Sequence, residues 1–209
     1  MKARSVAPVL FVVALCSATD LSAQAHWAPP SRQAYVVAPI GNEARYKVKE
    51  QLANIGLNDV VGKTSDVTGR IVVDNGKVVK DSSKIVVNVQ TLTTDQKRRD
   101  NYLKGKSLES NKFPQVTLVP VSFDGFTDLP AGEDRSFLLT ADLTVRDQTR
   151  PTTWKVIAHR QGNDIVGTAT TQFTFKDFAM DQPRVPIVLS VADTIRLEYT
   201  FHLAPETKP

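Results

Sequence analysis

Histidine and cysteine are the side chains of this sequence best suited to metal or nucleophilic chemistry, and their spacing predicts neither. His26, His159 and His202 stand alone, without the C-x-x-C or H-x-H pairs that would hold a metal ion. The motifs G-x-S-x-G, G-x-x-x-x-G-K, G-x-G-x-x-G and H-E-x-x-H, typical of hydrolases, nucleotide-binding proteins and metalloproteases, are also missing. The single cysteine, Cys16, lies in an apolar N-terminal run. We therefore predict no catalytic residue, no metal and no cofactor.

The densest basic cluster is Lys97, Arg98 and Arg99, followed directly by Asp100. A solvated helix face with local ion pairs is favoured there over a phosphate or lipid head-group site. The formal net charge of +4 is mild for 209 residues. We therefore predict no nucleic-acid partner.

Acidic residues leave one enzymatic alternative open. Asp142 and Asp177 have no obvious partner carboxylate in the sequence. Glycosidase-type chemistry needs two carboxylates at a set separation, which a sequence cannot give. A secreted hydrolase that uses Asp and Glu therefore remains an alternative to a protein without catalytic activity.

The first 25 residues are typical of a secretory signal peptide. Two cations precede an apolar run at residues 6–18, and Ala23-Gln24-Ala25 forms a small-x-small cleavage signal. We expect cleavage before His26, which would lower the net charge from +4 to +3 by removing two cations and one anion. The run is too short to cross a bilayer as a helix, so we predict no stable membrane span. The predicted location is periplasmic or secreted.

Alternation with a period of two dominates the rest of the chain. Residues 139–145 and 154–158 each place an apolar or small side chain at every second position, which is typical of half-buried strands. Polar residues 147–151 between them predict the connection of an antiparallel hairpin. The question that this hairpin raises is whether its apolar face packs into a solid core or forms the wall of a pocket.

Turn and strand signals predict eight or nine antiparallel strands. Asn75-Gly76 predicts a tight hairpin turn, and Pro120 predicts an edge or bulge within the strand at 115–123. One charged segment, 93–114, breaks the pattern and predicts a short helix, capped by Thr94 or Asp95 and ended by Gly105. Spaced, sequential strands of this kind favour a closed barrel.

Aromatic residues cluster late in the chain and bear on whether the interior is filled. They are Phe173, Phe175, Phe178, Tyr199 and Phe201, of which the first two and the last two have strand spacing. From this pattern alone, an ordinary packed core is favoured over a ligand pocket.

Three stretches of the sequence resemble the YceI family of exported bacterial proteins. Residues 83–118 resemble that family's strand, its Arg-Asp-x-x-Leu helix and its next strand, with Arg99, Asp100 and Leu103 at the helix positions. Residues 140–156 resemble its Gly-Asp-Leu-Thr-Ile hairpin with a Thr-Lys/Arg-Pro turn, and 170–180 its Arg-x-Asp-Phe-Gly stretch. The resemblance spans about residues 44–203. Ala141 and Ala179 stand where the family usually has glycine, which marks a divergent branch.

The resemblance implies an all-β fold, namely a lipocalin-like, eight-stranded antiparallel barrel that a short helical crossover closes at one end. Members of the YceI family bind polyisoprenoid chains, including those of quinones, in an apolar cavity. The implied organisation is a signal peptide at 1–25, a lead-in and first strand at 26–40, and the barrel domain at 41–205.

The function implied is that of an exported, non-catalytic carrier whose partner is an isoprenoid or another lipid. A secreted interaction or stress-related barrel with a filled core remains an alternative, and both monomer and homodimer stay open. The residues predicted to contact the ligand are Val116, Leu118, Leu139, Leu143, Val145, Trp154, Val156, Phe173, Phe175, Phe178, Leu197 and Tyr199.

Overall fold

The computed structural model describes residues 32–52, 56–125, 129–183 and 188–207. The predicted signal peptide, Cys16 and His26 lie outside the described residues. Within these ranges, eleven strands form one antiparallel sheet. They are β1 (Arg32–Val37), β2 (Glu43–Leu52), β3 (Gly56–Thr64), β4 (Val67–Asp74), β5 (Lys77–Val78), β6 (Lys84–Asn88), β7 (Gln115–Asp124), β8 (Arg135–Val145), β9 (Gln148–Gln161), β10 (Asp164–Thr174) and β11 (Val188–Pro205).

The sheet closes into a barrel of eight positions. Strands β1 and β2 lie one after the other along the long strand β11, and β4 and β3 pair with them in turn. From β4 the order runs through β6, β7, β8, β9 and β10 back to β11, while β5 pairs only with β4. Closure leaves few exposed strand edges. The predicted all-β, eight-stranded antiparallel barrel is confirmed.

Asn42 holds the junction at which β1 passes to β2 alongside β11. Its buried side-chain amide donates to the carbonyl of Ala38 at 2.8 Å. Its side-chain oxygen accepts from the Tyr199 hydroxyl at 2.9 Å and from the His202 backbone N–H at 3.0 Å. These hydrogen bonds join residues within the β1–β2 link and tie the link to β11. Strands β1 and β2 therefore follow one another along β11 and together occupy one position of the barrel.

The hairpin of β8 and β9 has the predicted alternation. Leu143 and Val156 are 2% and 3% exposed, whereas Lys155 is exposed and Thr144 lies on the outer face. The outward orientation of Thr144 agrees with its hydroxyl, which hydrogen bonds to the Thr149 hydroxyl at 2.9 Å across the hairpin. These residues confirm the predicted parity of both strands.

The predicted connection at 147–151 was too long. The turn consists of Arg146 and Asp147 alone, because Val145 pairs with Gln148 and pairing continues to Pro151. The polar side chains of this stretch belong to the exposed end of a strand, not to a loop. Proline is tolerated there because the pairing of β9 with β10 reaches only Lys155.

The two other turn signals are confirmed. Asn75 and Gly76, with φ of 48° and 75°, form a two-residue turn between β4 and β5. Pro120 lies at a register shift between β7 and β8, as expected for a residue that cannot donate to a ladder.

A helical crossover connects β6 to β7. It consists of helix α1 (Lys97–Tyr102) and the π-helical turn Leu103–Ser107, which we call together the crossover helix. Neither Thr94 nor Asp95 is its N-cap residue; instead, the hydroxyl and the N–H of Thr94 donate to the Asp100 carboxylate at 2.7 and 2.8 Å. Gly105 does not end the helix, because it lies inside the π turn.

The strand predicted at 165–178 ends early. Strand β10 stops at Thr174, and Phe175–Phe178 form a 3₁₀ turn. Thr174 and Asp177 make a reciprocal capping box, in which the Asp177 carboxylate accepts from the N–H and the hydroxyl of Thr174 at 2.6 and 2.9 Å. Both phenylalanines are still buried, but the turn and not strand alternation turns them inward.

Candidate ligand cavity

A cavity of about 760 Å³ occupies the half of the barrel next to the crossover helix. Strands β2, β3 and β6 to β11 contribute wall residues, and residues between Gln96 and Leu108 cover that end. The volume is within the range of about 300–1,000 Å³ typical of small-ligand sites. The wall along the strands is mainly valine, leucine, isoleucine and aromatic side chains, which suits an apolar guest.

Nine of the twelve predicted site residues line this cavity. They are Val116, Leu118, Leu143, Val145, Trp154, Phe173, Phe175, Leu197 and Tyr199. Val116 and Leu197 are only half-buried in the barrel wall, so the neighbouring side chains do not fill the space beside them. The interior beside the hairpin turn is therefore hollow.

Leu139, Val156 and Phe178 lie outside the cavity wall. Leu139 and Val156 are buried without lining the cavity, so they belong to the packed half of the barrel, where Val156 pairs in register with Phe137 on one side and Ala169 on the other. Phe178 packs edge-on against Phe173, with ring centroids 4.6 Å apart. Alternation gives the face on which a side chain lies but not its height along the barrel axis.

The apolar face of the β8–β9 hairpin is divided between a packed core and a pocket wall. Along β8, the residues near the hairpin turn, Leu143 and Val145, reach the cavity, whereas Phe137 and Leu139 lie in the packed half. The turn itself is fixed by Arg146, whose guanidinium forms an ion pair with Glu109 at 2.7 Å. One hairpin thus contributes to a solid core at one end and to a pocket wall at the other.

The crossover helix contributes wall residues that the sequence analysis did not predict. Most of the crossover helix lines the cavity, and only Lys97, Asp100 and Lys104, which share the opposite face at spacings of three and four residues, do not. That spacing was visible in the sequence. The charges on this segment instead favoured a fully solvated helix.

An ion pair holds the crossover helix against β2. The Arg99 guanidinium lies 2.9 Å from the Glu50 carboxylate, and the side chains are 16% and 6% exposed. Glu50 also accepts from the Asn58 side-chain amide at 3.0 Å, and Arg99 pairs with Asp95. For Arg99, the predicted local ion pairing is confirmed. Because the pair is largely buried and shared with a hydrogen bond, losing one partner would leave an uncompensated charge.

A second charged group lies on the paired strands β2 and β11. Arg45 and Lys47 each approach the Glu198 carboxylate at 3.0 Å. The hydrogen bond from Lys47 and the proximity of Arg45 hold the pKa of Glu198 below its ordinary value. Burial raises the pKa of the nearby Tyr46 hydroxyl, which therefore stays protonated at neutral pH.

Two histidine side chains and one aspartate side chain considered for metal or catalytic chemistry each contact a charged side chain. His159 and His202 contact Asp134 and Asp164 at 2.8 and 2.6 Å. Asp142 forms an ion pair with Lys80 at 2.7 Å. Among the residues that the structure describes, no three His, Cys, Asp or Glu side chains lie close enough to hold a metal ion. In those same ranges, no helix has the length and apolar character to cross a membrane.

The capping box at Asp177 predicts a dependence of stability on acid. Hydrogen bonds from Thr174, with the charge of Arg150 nearby, hold the pKa of Asp177 below its ordinary value. A lowered carboxyl pKa stabilises the fold above the unfolded pKa, and this contribution is lost as the pH falls through the folded value, below about pH 4. Urea unfolding of Asp177→Asn should therefore differ from the parent near neutral pH and converge with it in acid. A constant difference at all pH values would contradict the ionic role.

A closed eight-stranded barrel with an apolar internal cavity defines the lipocalin-like class of binding barrels. Within that class, the model of the YceI-like domain matches residues 35–203, and the chain belongs to this family. No curated protein matches the sequence.

Three solved structures share the fold. A polyisoprenoid-binding domain from Saccharophagus degradans has a TM-score of 0.63 at 11% identity, over 83% of this chain and 99% of that one. BcnA from Burkholderia cenocepacia has a TM-score of 0.56 at 17% identity, over 79% and 96%. The YceI protein of Campylobacter jejuni has a TM-score of 0.55 at 16% identity, over 70% and 85%. At these identities the likeness establishes the fold.

Proposed function

We propose that this protein is an exported, non-catalytic carrier that holds one apolar lipid chain of the isoprenoid class in its barrel. The observation that carries the proposal is the cavity of about 760 Å³ with a mainly apolar strand wall. Each CH₂ group that leaves water for such a wall contributes about 0.8 kcal/mol. Binding of this kind needs shape and apolar surface and does not need a reactive side chain.

The polyisoprenoid-binding domain among the structural neighbours supports the choice of ligand class. Family membership supports a binding role over the alternatives of a hydrolase or a filled interaction barrel. The roles of Asp142 in an ion pair and of Asp177 in a capping box support the same preference, because each carboxylate already has a structural task.

Trp154 provides a direct test of ligand binding. It lines the cavity, and its indole N–H donates to the Thr152 hydroxyl at 2.8 Å. The only other tryptophan is Trp27, so Trp27→Phe leaves a single reporter. We expect long-chain polyprenol to change Trp154 fluorescence saturably and to be recovered chemically unchanged after incubation. A straight-chain alcohol with the same number of carbon atoms is the matched control ligand, because it tests whether binding depends on the isoprenoid type of chain.

Two results would contradict the carrier. One is the absence of saturable binding together with the absence of lipid, by mass spectrometry, from protein purified from its native host. The other is a product formed from the bound lipid, which would favour the hydrolase.

Export is the second part of the proposal and has its own test. Cleavage after Ala25 would give a mature chain that starts at His26 and contains no cysteine. We expect the intact mass of protein recovered from the periplasm or medium to match this chain. A mass that retains Met1, or one that carries a diacylated Cys16, would contradict it.

A further inference from the structure

The excess positive charge of the chain is concentrated between strands β6 and β7. Residues 89–114, which contain the crossover helix, have a net charge of +3, whereas all 209 residues together have +4. In the folded protein the crossover helix covers the end of the barrel next to the cavity. That end therefore carries the segment in which most of the excess charge is found.

The carboxylates close to the crossover helix already have partners. Glu50 and Asp95 both pair with Arg99. Asp100 is buried, and its carboxylate accepts two hydrogen bonds from the threonine that precedes the helix. Glu109 pairs with the arginine of the β8–β9 turn at 2.7 Å. These anions are therefore not available to the other cations of the helix.

Four cations of the crossover helix form no ion pair in the part of the chain that the structure describes. They are Lys97, Arg98, Lys104 and Lys106. Lys104 is half-buried and the other three are exposed. A surface with this much unbalanced charge attracts an anionic partner.

The cavity meets solvent along the same helix. Among the described residues, the exposed members of its wall all lie in this segment, namely Gln96, Arg98, Asn101, Gly105 and Lys106. The wall residues contributed by the strands are buried or half-buried. A lipid chain would therefore enter and leave the barrel beside the unpaired cations.

An exposed leucine lies at this end of the barrel as well. Leu189, near the start of β11, is 64% exposed. Two residues further along, Val191 pairs in register with Glu50, whose carboxylate contacts the crossover helix. A single exposed leucine is ordinary on a protein surface. An exposed apolar side chain beside a group of unpaired cations, however, is the combination that binds the interface of an anionic membrane.

We infer that this end of the barrel docks on an anionic phospholipid bilayer. The docking face consists of Lys97, Arg98, Lys104, Lys106 and Leu189. The cations lie against the lipid phosphates, and Leu189 enters the interface. Docking in this orientation places the cavity mouth at the bilayer, so an apolar chain passes into the barrel without crossing water. That passage rests on the proposed function, whereas the docking itself does not.

Lys97→Gln/Lys104→Gln tests the electrostatic part of the docking face, because neither residue lines the cavity. The parent should sediment with phosphatidylcholine vesicles that contain phosphatidylglycerol and stay in solution with phosphatidylcholine alone. A cation near an anionic surface contributes about fivefold to partitioning, so the double variant should bind about 25-fold more weakly. Binding of the parent should also weaken as salt rises above about 0.1 M, where the screening length is about 10 Å.

The matched control is Lys77→Gln/Lys84→Gln, which removes the same charge from the opposite end of the barrel. Strand β6 begins at Lys84 and leads toward the crossover helix, and Lys77 follows the turn between β4 and β5. Both lysines are exposed. This variant should bind anionic vesicles within about twofold of the parent. Equal losses in the two double variants would mean that binding follows overall charge, and the docking face would be wrong.

Leu189→Ser tests the apolar part of the docking face. Loss of one inserted leucine should weaken vesicle binding about fivefold to tenfold. The control is Leu138→Ser, since Leu138 is 45% exposed on the outer wall of β8 and lies outside the docking face. Both variants should keep the thermal midpoint of the parent, because the side chains are exposed. Unchanged binding of Leu189→Ser, or an equal loss in Leu138→Ser, would overturn the insertion of Leu189.

Val116→Phe separates docking of the surface from capture of a single lipid. Val116 lies on the strand wall of the cavity and not on the docking face, so this variant should keep the vesicle binding of the parent. If its vesicle binding instead falls in parallel with its polyprenol affinity, the protein takes up single lipid molecules, and the docking inference is overturned.

Loading from vesicles connects docking to the carrier. In the Trp27→Phe background, Trp154 fluorescence should report faster uptake of polyprenol from vesicles that contain phosphatidylglycerol than from phosphatidylcholine alone. Lys97→Gln/Lys104→Gln should slow this uptake and leave the equilibrium affinity for polyprenol unchanged. Equal uptake rates from the two kinds of vesicle would show that the mouth does not open at the bilayer.

Failure of docking and failure of the carrier give different results. If polyprenol binds but the parent does not sediment with anionic vesicles at low salt, the carrier stands and the docking inference is overturned. If anionic vesicles bind through Lys97 and Lys104 while polyprenol does not bind, docking stands and the proposed function fails.

Discussion

Leu143→Asp is expected to abolish folding, whereas Thr144→Asp, one residue further on, should leave a folded protein. Leu143 is 2% exposed and packs in the barrel interior. A carboxylate placed there loses its hydration, and its burial should cost about 4 kcal/mol of unfolding free energy. That cost is a large part of the total stability of a typical domain. Far-UV circular dichroism and urea unfolding measure it.

Thr144 serves as the matched control because the same side chain is introduced on the opposite face. Its change sacrifices the hydrogen bond to the Thr149 hydroxyl on the outer surface, which should cost about 1 kcal/mol. Comparable losses in the two variants would show that β8 does not separate an inner from an outer face. The division of the barrel interior into a hollow half and a packed half, which depends on that separation of faces, would then be wrong.

Strand faces could be predicted from the sequence because parity is a local property. Leu143 and Val156 alternate with Thr144 and Lys155 whatever the rest of the chain does. The turn Asn75-Gly76 and the bulge at Pro120 were equally local, since each follows from what one or two residues allow the backbone to do. The closed barrel followed from the number and spacing of such strands together with the family resemblance.

Height along the barrel axis could not be predicted, because it depends on how distant strands meet. Leu139 and Leu143 have the same residue type and the same parity, yet only Leu143 lines the cavity. The difference arises because the crossover helix covers one end without filling it. The same non-local contact turned a basic run that suggested a solvated helix into part of a cavity wall at Arg98.

The position of a residue along the barrel axis decides whether its substitution probes the pocket or the packed core. By alternation alone, Val156 is an inward valine suited to the test, but it lies in the packed half. Val116 is an inward valine that lines the cavity and remains half-buried. The same change to phenylalanine at both positions therefore probes two environments within one barrel.

Val116→Phe should reduce lipid affinity and spare the fold. The added ring takes the place of about three CH₂ groups of ligand, which corresponds to about 2 kcal/mol or about thirtyfold in Kd. The thermal midpoint without ligand should stay the same or rise, because the ring fills empty space.

Val156→Phe should behave in the opposite way. Val156 is 3% exposed between Phe137 and Ala169, so the larger ring has no space and should cost about 1–3 kcal/mol of stability. The folded fraction should bind polyprenol with unchanged affinity, because the cavity wall is untouched. Fluorescence titration beside a thermal melt of each variant gives both quantities. If Val116→Phe also lowers the melting midpoint and the parent protein shows no saturable polyprenol binding, the interior is filled throughout, and the carrier function must be abandoned.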